Sequence, residues 1–421
     1  MLTFPGPSEI TVFHPDVFAV IDGPRTECIK SDWYDLLHPN MSLVTVRDKR
    51  IHTARRRQWK YGLNAKDRYQ ERVLRYVDQL DRCIEADVAT GRVSEVTDLF
   101  YWFGFDRMGD FIFNKAFDML SRQQWHHVIL LLQRALSILG PLGPVPWLVQ
   151  IAFKVLPRTG VLKDWFDMMT WCEAQMLDRM ESPENPSETP DVAHYLLQDA
   201  RQRRGQWPWL TGDSILAIVA GSEPTAAVLV ATFYELAKNP NHTHLIWLEL
   251  QHVDIRDARA LSVNCPHLEA VIAEALRLYP ALPTGGNRKT TQHGITIGGT
   301  FIPPDTTIVA PRFSIFRRED CYERANEFIP ERWYKRPEMV KNKSGYTPFG
   351  TGHHSCLGRV VAMNDLRLVI ARLISKYRFR FSPGEMGDGV IKDLRDQFTS
   401  NPGRLRLVFE LREGEVSSDP L

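Results

Sequence analysis

The sequence predicts a mainly α-helical fold with a minor β part, and three observations lead there. The longest apolar segments recur with helical spacing, the clearest running from about Gly212 to Lys238 and from about Leu357 to Tyr377. Ile/Thr/Val alternation with Gly pairs and prolines is confined to residues 284–312 and to short pieces near the two ends. Helical and strand patterns do not alternate as β-α-β units, which excludes a doubly wound parallel sheet.

Composition bounds the function. The 421 residues carry 52 Lys and Arg against 51 Asp and Glu, so the net charge is +1, without the cationic excess that nucleic-acid binding needs. An apolar fraction of 43% supports a large core. Six cysteines at 28, 83, 172, 265, 321 and 356 include no C-x-x-C pair and are too sparse for a disulfide framework. Five read as small buried hydrophobes, and Cys356 is judged by its neighbours.

Taken in order, the first ~45 residues read as strand and loop from alternation such as Ile10-Thr11-Val12-Phe13 and repeated Pro/Gly breaks. From His52 to the mid 80s the pattern is helical and basic, with Arg55-Arg56-Arg57 near its start. Asp98 to Leu120 reads as an aromatic-rich buried helix. Residues 125–156 are the least polar stretch and include the Gly140 to Trp147 run. Pro183 to Pro190 reads as a loop. The apolar helix after Gly212 stops at Asn239-Pro240, and a shorter one runs from Pro266 to Tyr279 ahead of Pro280. The tail returns to strand with Leu405 to Phe409. Nowhere does an unbroken apolar run reach the ~20 residues that cross a bilayer; Val128 to Leu139 comes nearest. The N-terminus has no basic-plus-apolar leader.

Phe349-Gly350-Thr351-Gly352-His353-His354-Ser355-Cys356-Leu357-Gly358 is the most informative segment. It is a Gly-rich turn delivering one Cys to the start of a helix, where unpaired N–H groups stabilise a thiolate. Such a sulfur suits the axial position of a haem iron. Two rival readings are a buried structural Cys and a zinc site with His353 and His354, though three near-adjacent donors do not easily surround a tetrahedral ion. Glu274 and Arg277, three apart, share a helical face whose other members are Leu268, Val271, Ile272, Ala275 and Leu278.

Four pieces stand in register: Ala220-Gly221-Ser222-Glu223-Pro224-Thr225, Glu274-Ala275-Leu276-Arg277, Phe328-Ile329-Pro330-Glu331-Arg332-Trp333 and the Cys356 turn. Together they resemble the cytochrome P-450 family, in wording closest to fungal microsomal members, from about Pro5 to Glu410. The resemblance implies that family's fold as a single catalytic domain over 1–421. It implies haem b (iron protoporphyrin IX) with Cys356 as iron ligand and Phe349 and Gly358 beside the cofactor. His52, Arg56, Arg288 and His354 become the propionate partners, His354 standing where most microsomal relatives have Arg; Trp59 is a further candidate at the haem edge. Glu274, Arg277 and Arg332 become a structural network behind the thiolate loop. The implied activity is O2-dependent oxidation of a small, largely apolar organic substrate, with electrons from an NADPH-cytochrome P-450 reductase, in fungal secondary metabolism. The implied location is the cytoplasmic face of the endoplasmic reticulum, with residues 125–156 touching the membrane surface.

Two departures bear on these expectations. The family's acidic residue is followed at once by Thr; here Pro224 intervenes between Glu223 and Thr225. Pro224 has no N–H, so the Ala220 carbonyl loses its partner and the helix is expected to open there. Glu223 and Thr225 then form the proton relay, or proton delivery is rebuilt for isomerisation, desaturation or coupling. The resemblance also begins part-way into the family fold, past its membrane anchor and first elements, which raises the further alternative of an inactive remnant.

Overall fold

The computed structural model describes residues 2–6, 8–63, 66–136, 146–181, 191–202 and 207–412. Helices dominate, and the minor β part gathers at one side. The largest sheet has five strands in the order Leu2–Gly6, Glu9–Val12, Thr307–Val309, Arg288–Lys289, Ile29–Lys30. Glu9–Val12 runs parallel to Thr307–Val309, whereas the other pairings are antiparallel. A second sheet joins Ser94–Glu95, Arg406–Leu411 and Tyr377–Phe381. Hairpins form at 295–302 and 395–401.

The basic helical stretch is two helices, Lys49–Leu63 and Lys66–Ala89. The aromatic helix is Val96–Phe113 and stops short of the expected Leu120. Asn114 adopts a left-handed φ of 56° and turns its N–H back to Asp110, which ends the helix. The apolar stretch contains helices His127–Leu136 and Pro146–Val155; residues 137–145 and the loop 183–190 lie outside the described residues. The central helix, Trp207–Lys238, starts earlier than predicted. Its span Pro208–Lys238 is long and apolar enough to cross a bilayer by length and composition, but most of it is buried among other helices. Asp213 and Glu223 interrupt it, so it is not an unbroken apolar run. Pro266–Leu278 and Arg359–Lys376 complete the frame.

The central helix crosses Val96–Phe113 closely because both present glycine. A Cβ on Gly221 would sit 2.1 Å from Met108 Cε, and one on Gly104 would sit 2.9 Å from the Ser222 carbonyl. Pro224 does not interrupt the helix, contrary to the expected opening. The turn before it is supported from outside: Arg107 donates to the Gly221 carbonyl at 2.7 Å. The same guanidinium bonds Tyr69 Oη at 2.8 Å and faces Asp365 of helix Arg359–Lys376 at 3.1 Å. One buried cation thus ties together the helices above and below the site.

Candidate functional site

The Cys356 turn is shaped by backbone before any side chain acts. Gly350 and Gly352 both take left-handed φ values, 66° and 61°. A Cβ on Gly352 would meet the Asp22 carbonyl at 2.0 Å, so glycine is needed there. The Cys356 N–H closes on the Phe349 carbonyl at 2.8 Å. Helix Arg359–Lys376 begins at Gly358, and the N–H groups of Gly358 and Arg359 aim at Sγ, with the Arg56 and Arg359 guanidinium groups adding positive charge. Cys356 is accessible where the other five cysteines are buried, yet protein surrounds its sulfur on most sides. The donors stabilise a thiolate as expected, but burial outweighs them and pushes the thiol up. Coordination to a metal supplies what the nest lacks, because a metal-bound thiol is deprotonated outright.

Beside the turn lies a half-buried cluster of cations. His52 Nδ1 is 2.9 Å from His353 Nε2, and His52 Nε2 is 3.4 Å from His354 Nδ1. Arg56 donates to the Ser355 carbonyl at 2.7 Å and to its hydroxyl at 3.1 Å. Arg288 is buried and paired with Asp22 at 2.7 Å. Lys30 donates to the carbonyls of Leu43, Val44 and Val46 at 3.0, 2.6 and 2.9 Å. Burial, then the surrounding like charges, drives His52 down to about 3, His354 to about 2 and Lys30 to about 7. A site that holds its histidines neutral in this way is an anion receptor. It fits a group carrying two carboxylates on a flat apolar body, with the Cys356 sulfur as the axial donor. Of the three neighbouring arginines, Arg57 is the solvated one, and Arg55 forms a buried pair with Asp213 at 2.5 Å. Trp59 is buried beside that pair.

On the other face, Glu223 is buried and Thr399 donates to its carboxylate at 2.7 Å. Burial raises Glu223 to about 7, and the Thr399 bond opposes that rise. Thr225, two positions further along the helix, is also buried, and the hydroxyl bonded to Glu223 belongs to Thr399. An apolar cavity adjoins, walled by Trp33, Leu36, Val44, Leu132, Trp165, Met168, Ile215, Val219, Ala220 and Phe398. Helices His127–Leu136 and Gly160–Glu181 contribute to this wall, and the segment Ala281 to Asn287 does not. Phe398 stacks on Trp33 with centroids 4.9 Å apart and holds a left-handed φ of 73°, a strained state that places its ring in the wall.

Behind the turn, Glu274 receives four donors. Arg277 binds both carboxylate oxygens at 2.7 and 2.9 Å, Arg332 at 2.9 Å, Trp333 Nε1 at 2.9 Å and the Ile329 N–H at 3.0 Å. The remaining guanidinium donors reach the carbonyls of Phe316, Ala325, Glu327, Glu323 and Arg324. All three charged side chains are fully buried, which such complete satisfaction permits. Trp333 packs on Tyr346, whose hydroxyl donates to the Ala273 carbonyl and which stands four residues before Gly350 of the Cys turn.

The structure therefore brings His52, Arg56, Phe349, His354, Cys356 and Gly358 together, with Arg288 close to His354, while Glu223 sits against Thr399 and Thr225 is buried in the same helix. Sequence reasoning missed Lys30, Asp22 and Thr399, none of which carries a local signal, and had His353 only as a rival zinc ligand, whereas it packs on His52 beside the turn.

The cytochrome P-450 family profile matches residues 27–409. A cytochrome P-450 monooxygenase of Aspergillus versicolor, notG', is 33% identical over 417 residues, 97% of this chain and 75% of that protein. Another from Phaeosphaeria nodorum, sthD, is 34% identical over 414 residues, covering 96% of this chain and 86% of that protein. Tryprostatin B 6-hydroxylase of Neosartorya fischeri is 32% identical over 391 residues, 91% of this chain and 70% of that protein. Among solved structures, the haem domain of cytochrome P-450DA superposes with a TM-score of 0.78 at 16% identity, covering 98% of this chain and 89% of that one, which shows the fold. With that fold, that coverage and the Cys356 turn in place, the chain belongs to the cytochrome P-450 family of haem-dependent monooxygenases.

Proposed function

We propose that this chain uses haem b to oxidise an apolar, ring-bearing organic substrate in fungal secondary metabolism, with electrons from an NADPH-dependent reductase. The observation that carries this reading is one accessible sulfur in a glycine-bounded turn ringed by basic side chains, in a fold that also holds a buried carboxylate and an apolar, aromatic-walled cavity. When bound, haem supplies the redox and oxygen-activating chemistry. Cys356 holds it through sulfur, while Arg56, Arg288, His52, His353 and His354 receive its carboxylates, and Phe349 and Gly358 flank the sulfur. Trp33 and Phe398 orient a planar substrate and exclude water from the space between. Glu223 passes protons, with Thr399 fixing its carboxylate and Thr225 at hand one step along the helix. A carboxyl held near pH 7 can both give and regain a proton at working pH. The unbroken helix at Pro224 and the hydroxyl that Thr399 supplies to Glu223 support this relay over a rebuilt route for isomerisation, desaturation or coupling.

The test is reconstitution with a reductase and isotope-labelled O2 on planar apolar compounds. One labelled oxygen atom in the product is expected, together with a fall in coupled turnover as pH rises through about 7, because the acid form of Glu223 is the donor. Glu223→Gln should remove that inflection and cut product formation by about 10²-fold. Label found only in water, or an inflection that survives the substitution, would overturn the reading.

Membrane association is a second part of the proposal. Trp147, Ile151, Val155 and Leu156 stand exposed on and just after helix Pro146–Val155, at 58, 49, 74 and 54% of their surface. An apolar face of this kind inserts into a lipid interface. The holoprotein is expected to sediment with liposomes, and Ile151→Asp with Val155→Asp should weaken that by about 10-fold or more, each large apolar side chain being worth roughly 1.5–3 kcal/mol. Unchanged sedimentation of the double variant would remove this face from the contact.

A further inference from the structure

Away from the haem-binding side chains, His242, His267 and Glu331 converge from three elements. They come from helix Pro240–Leu250, the first turn of helix Pro266–Leu278 and the turn Pro330–Trp333. Nδ1 of His242 lies 3.2 Å from Nε2 of His267 and 3.8 Å from Oε1 of Glu331, and the three donor atoms lie within 4.8 Å of one another. A tetrahedral zinc ion with ligands at about 2.0–2.1 Å requires donor separations of roughly 3.3 Å, so small side-chain rotations would close the set.

A further feature points to a cation. The second ring nitrogen of His267, Nδ1, meets Tyr334 Oη at 2.9 Å. That contact fixes the ring and turns Nε2 toward the cluster, as outer-sphere partners do for metal-bound histidine. A plain hydrogen-bonded chain explains less. One proton on His242 Nδ1 can serve His267, which leaves Glu331 at 3.8 Å beyond hydrogen-bond range; a single cation between them serves all three. Glu249 adds negative charge nearby, since its carboxylate caps the N–H groups of His267 and Leu268 at 2.7 and 3.1 Å, and Lys335 is the opposing cation.

We infer that His242, His267 and Glu331 bind one zinc ion, with a solvent molecule as fourth ligand, and that the ion clamps the turn carrying Arg332 and Trp333 to the two helices. His242 and Glu331 retain 14 and 26% of their side-chain surface, which gives both an entry path and room for water. The mixed nitrogen and oxygen donor set suits zinc among the common divalent ions.

The tag-free holoprotein, purified without chelator, is assayed for zinc per chain by elemental analysis and melted with added zinc or with chelator. About one zinc per chain and a melting temperature about 2–5 °C higher in excess zinc are expected. His242→Gln and Glu331→Gln should each lose the zinc and the shift, while the haem spectrum stays unchanged. The inference fails if the wild type retains no zinc and shows no shift, or if either variant takes up zinc and shifts equally, which would mean an adventitious surface ion. Should both variants fail to fold, the wild-type zinc content and shift decide alone. Because none of these readouts depends on turnover, they stand apart from the outcome of the oxygenation assay.

Discussion

Cys356→Ser is expected to abolish the thiolate-type Soret band of the reduced, carbon-monoxide-bound protein and to end oxygenation. Sulfur donates electron density to iron in a way that a serine hydroxyl cannot, because the hydroxyl is hard, poorly acidic and no better solvated in this setting. Burial already raises the Cys356 thiol against the pull of the Gly358 and Arg359 N–H groups and of Arg56 and Arg359. The nest is thus tuned to accept a metal-bound thiolate and not to create a free one. The loss should exceed the ~10–100-fold that removal of an outer-sphere partner costs. Cys356→His is the companion variant, since imidazole ligates haem iron too: it should keep pigment with a shifted band and without turnover. If the serine variant retains both the band and product formation, Cys356 is not the ligand.

Removing the Glu274 carboxylate has the second-largest expected effect, and it acts on stability. Glu274→Ala would leave Arg277 and Arg332 facing one another with no exposed surface and would strand the Trp333 and Ile329 N–H groups. Breaking a buried pair in this way costs about 3–5 kcal/mol. Glu274→Gln keeps the shape and loses the charge, so it should fall between the wild type and Ala. Denaturant unfolding of the two variants gives the ordering, and a change below about 1 kcal/mol for Ala would mean that the network does not hold the region together. Haem content is expected to fall with stability, because the segment 323–333 and Tyr346 lead directly into the thiolate turn.

What the sequence made legible was local. Glu274 and Arg277 sit three apart on one apolar helix, and Arg332 lies in a recognisable Pro-Glu-Arg-Trp turn, so their meeting needed only the helical period and the order of motifs. Cys356 and its glycines fall within ten residues. The mainly α fold followed from apolar periodicity, but the stop at Asn114 did not, because a left-handed asparagine has no apolar signature. Thr399, Lys30 and Asp22 escaped for a different reason. Thr399 reaches Glu223 across 176 positions, and Asp22 reaches Arg288 across 266; no spacing rule spans such distances. The rise of the Cys356 thiol was missed because the donors are local whereas the desolvation that outweighs them comes from the whole fold.

The Arg107 knot carries a mechanical consequence. It fastens the oxygen-side helix at Gly221 to the sulfur-side helix at Asp365 through an ion that water does not reach. Prising those two helices apart would leave a guanidinium and a carboxylate stranded in hydrocarbon, so the spacing between floor and ceiling of the reaction chamber behaves as a fixed gauge. Any movement that admits a guest is therefore expected in elements other than these two helices.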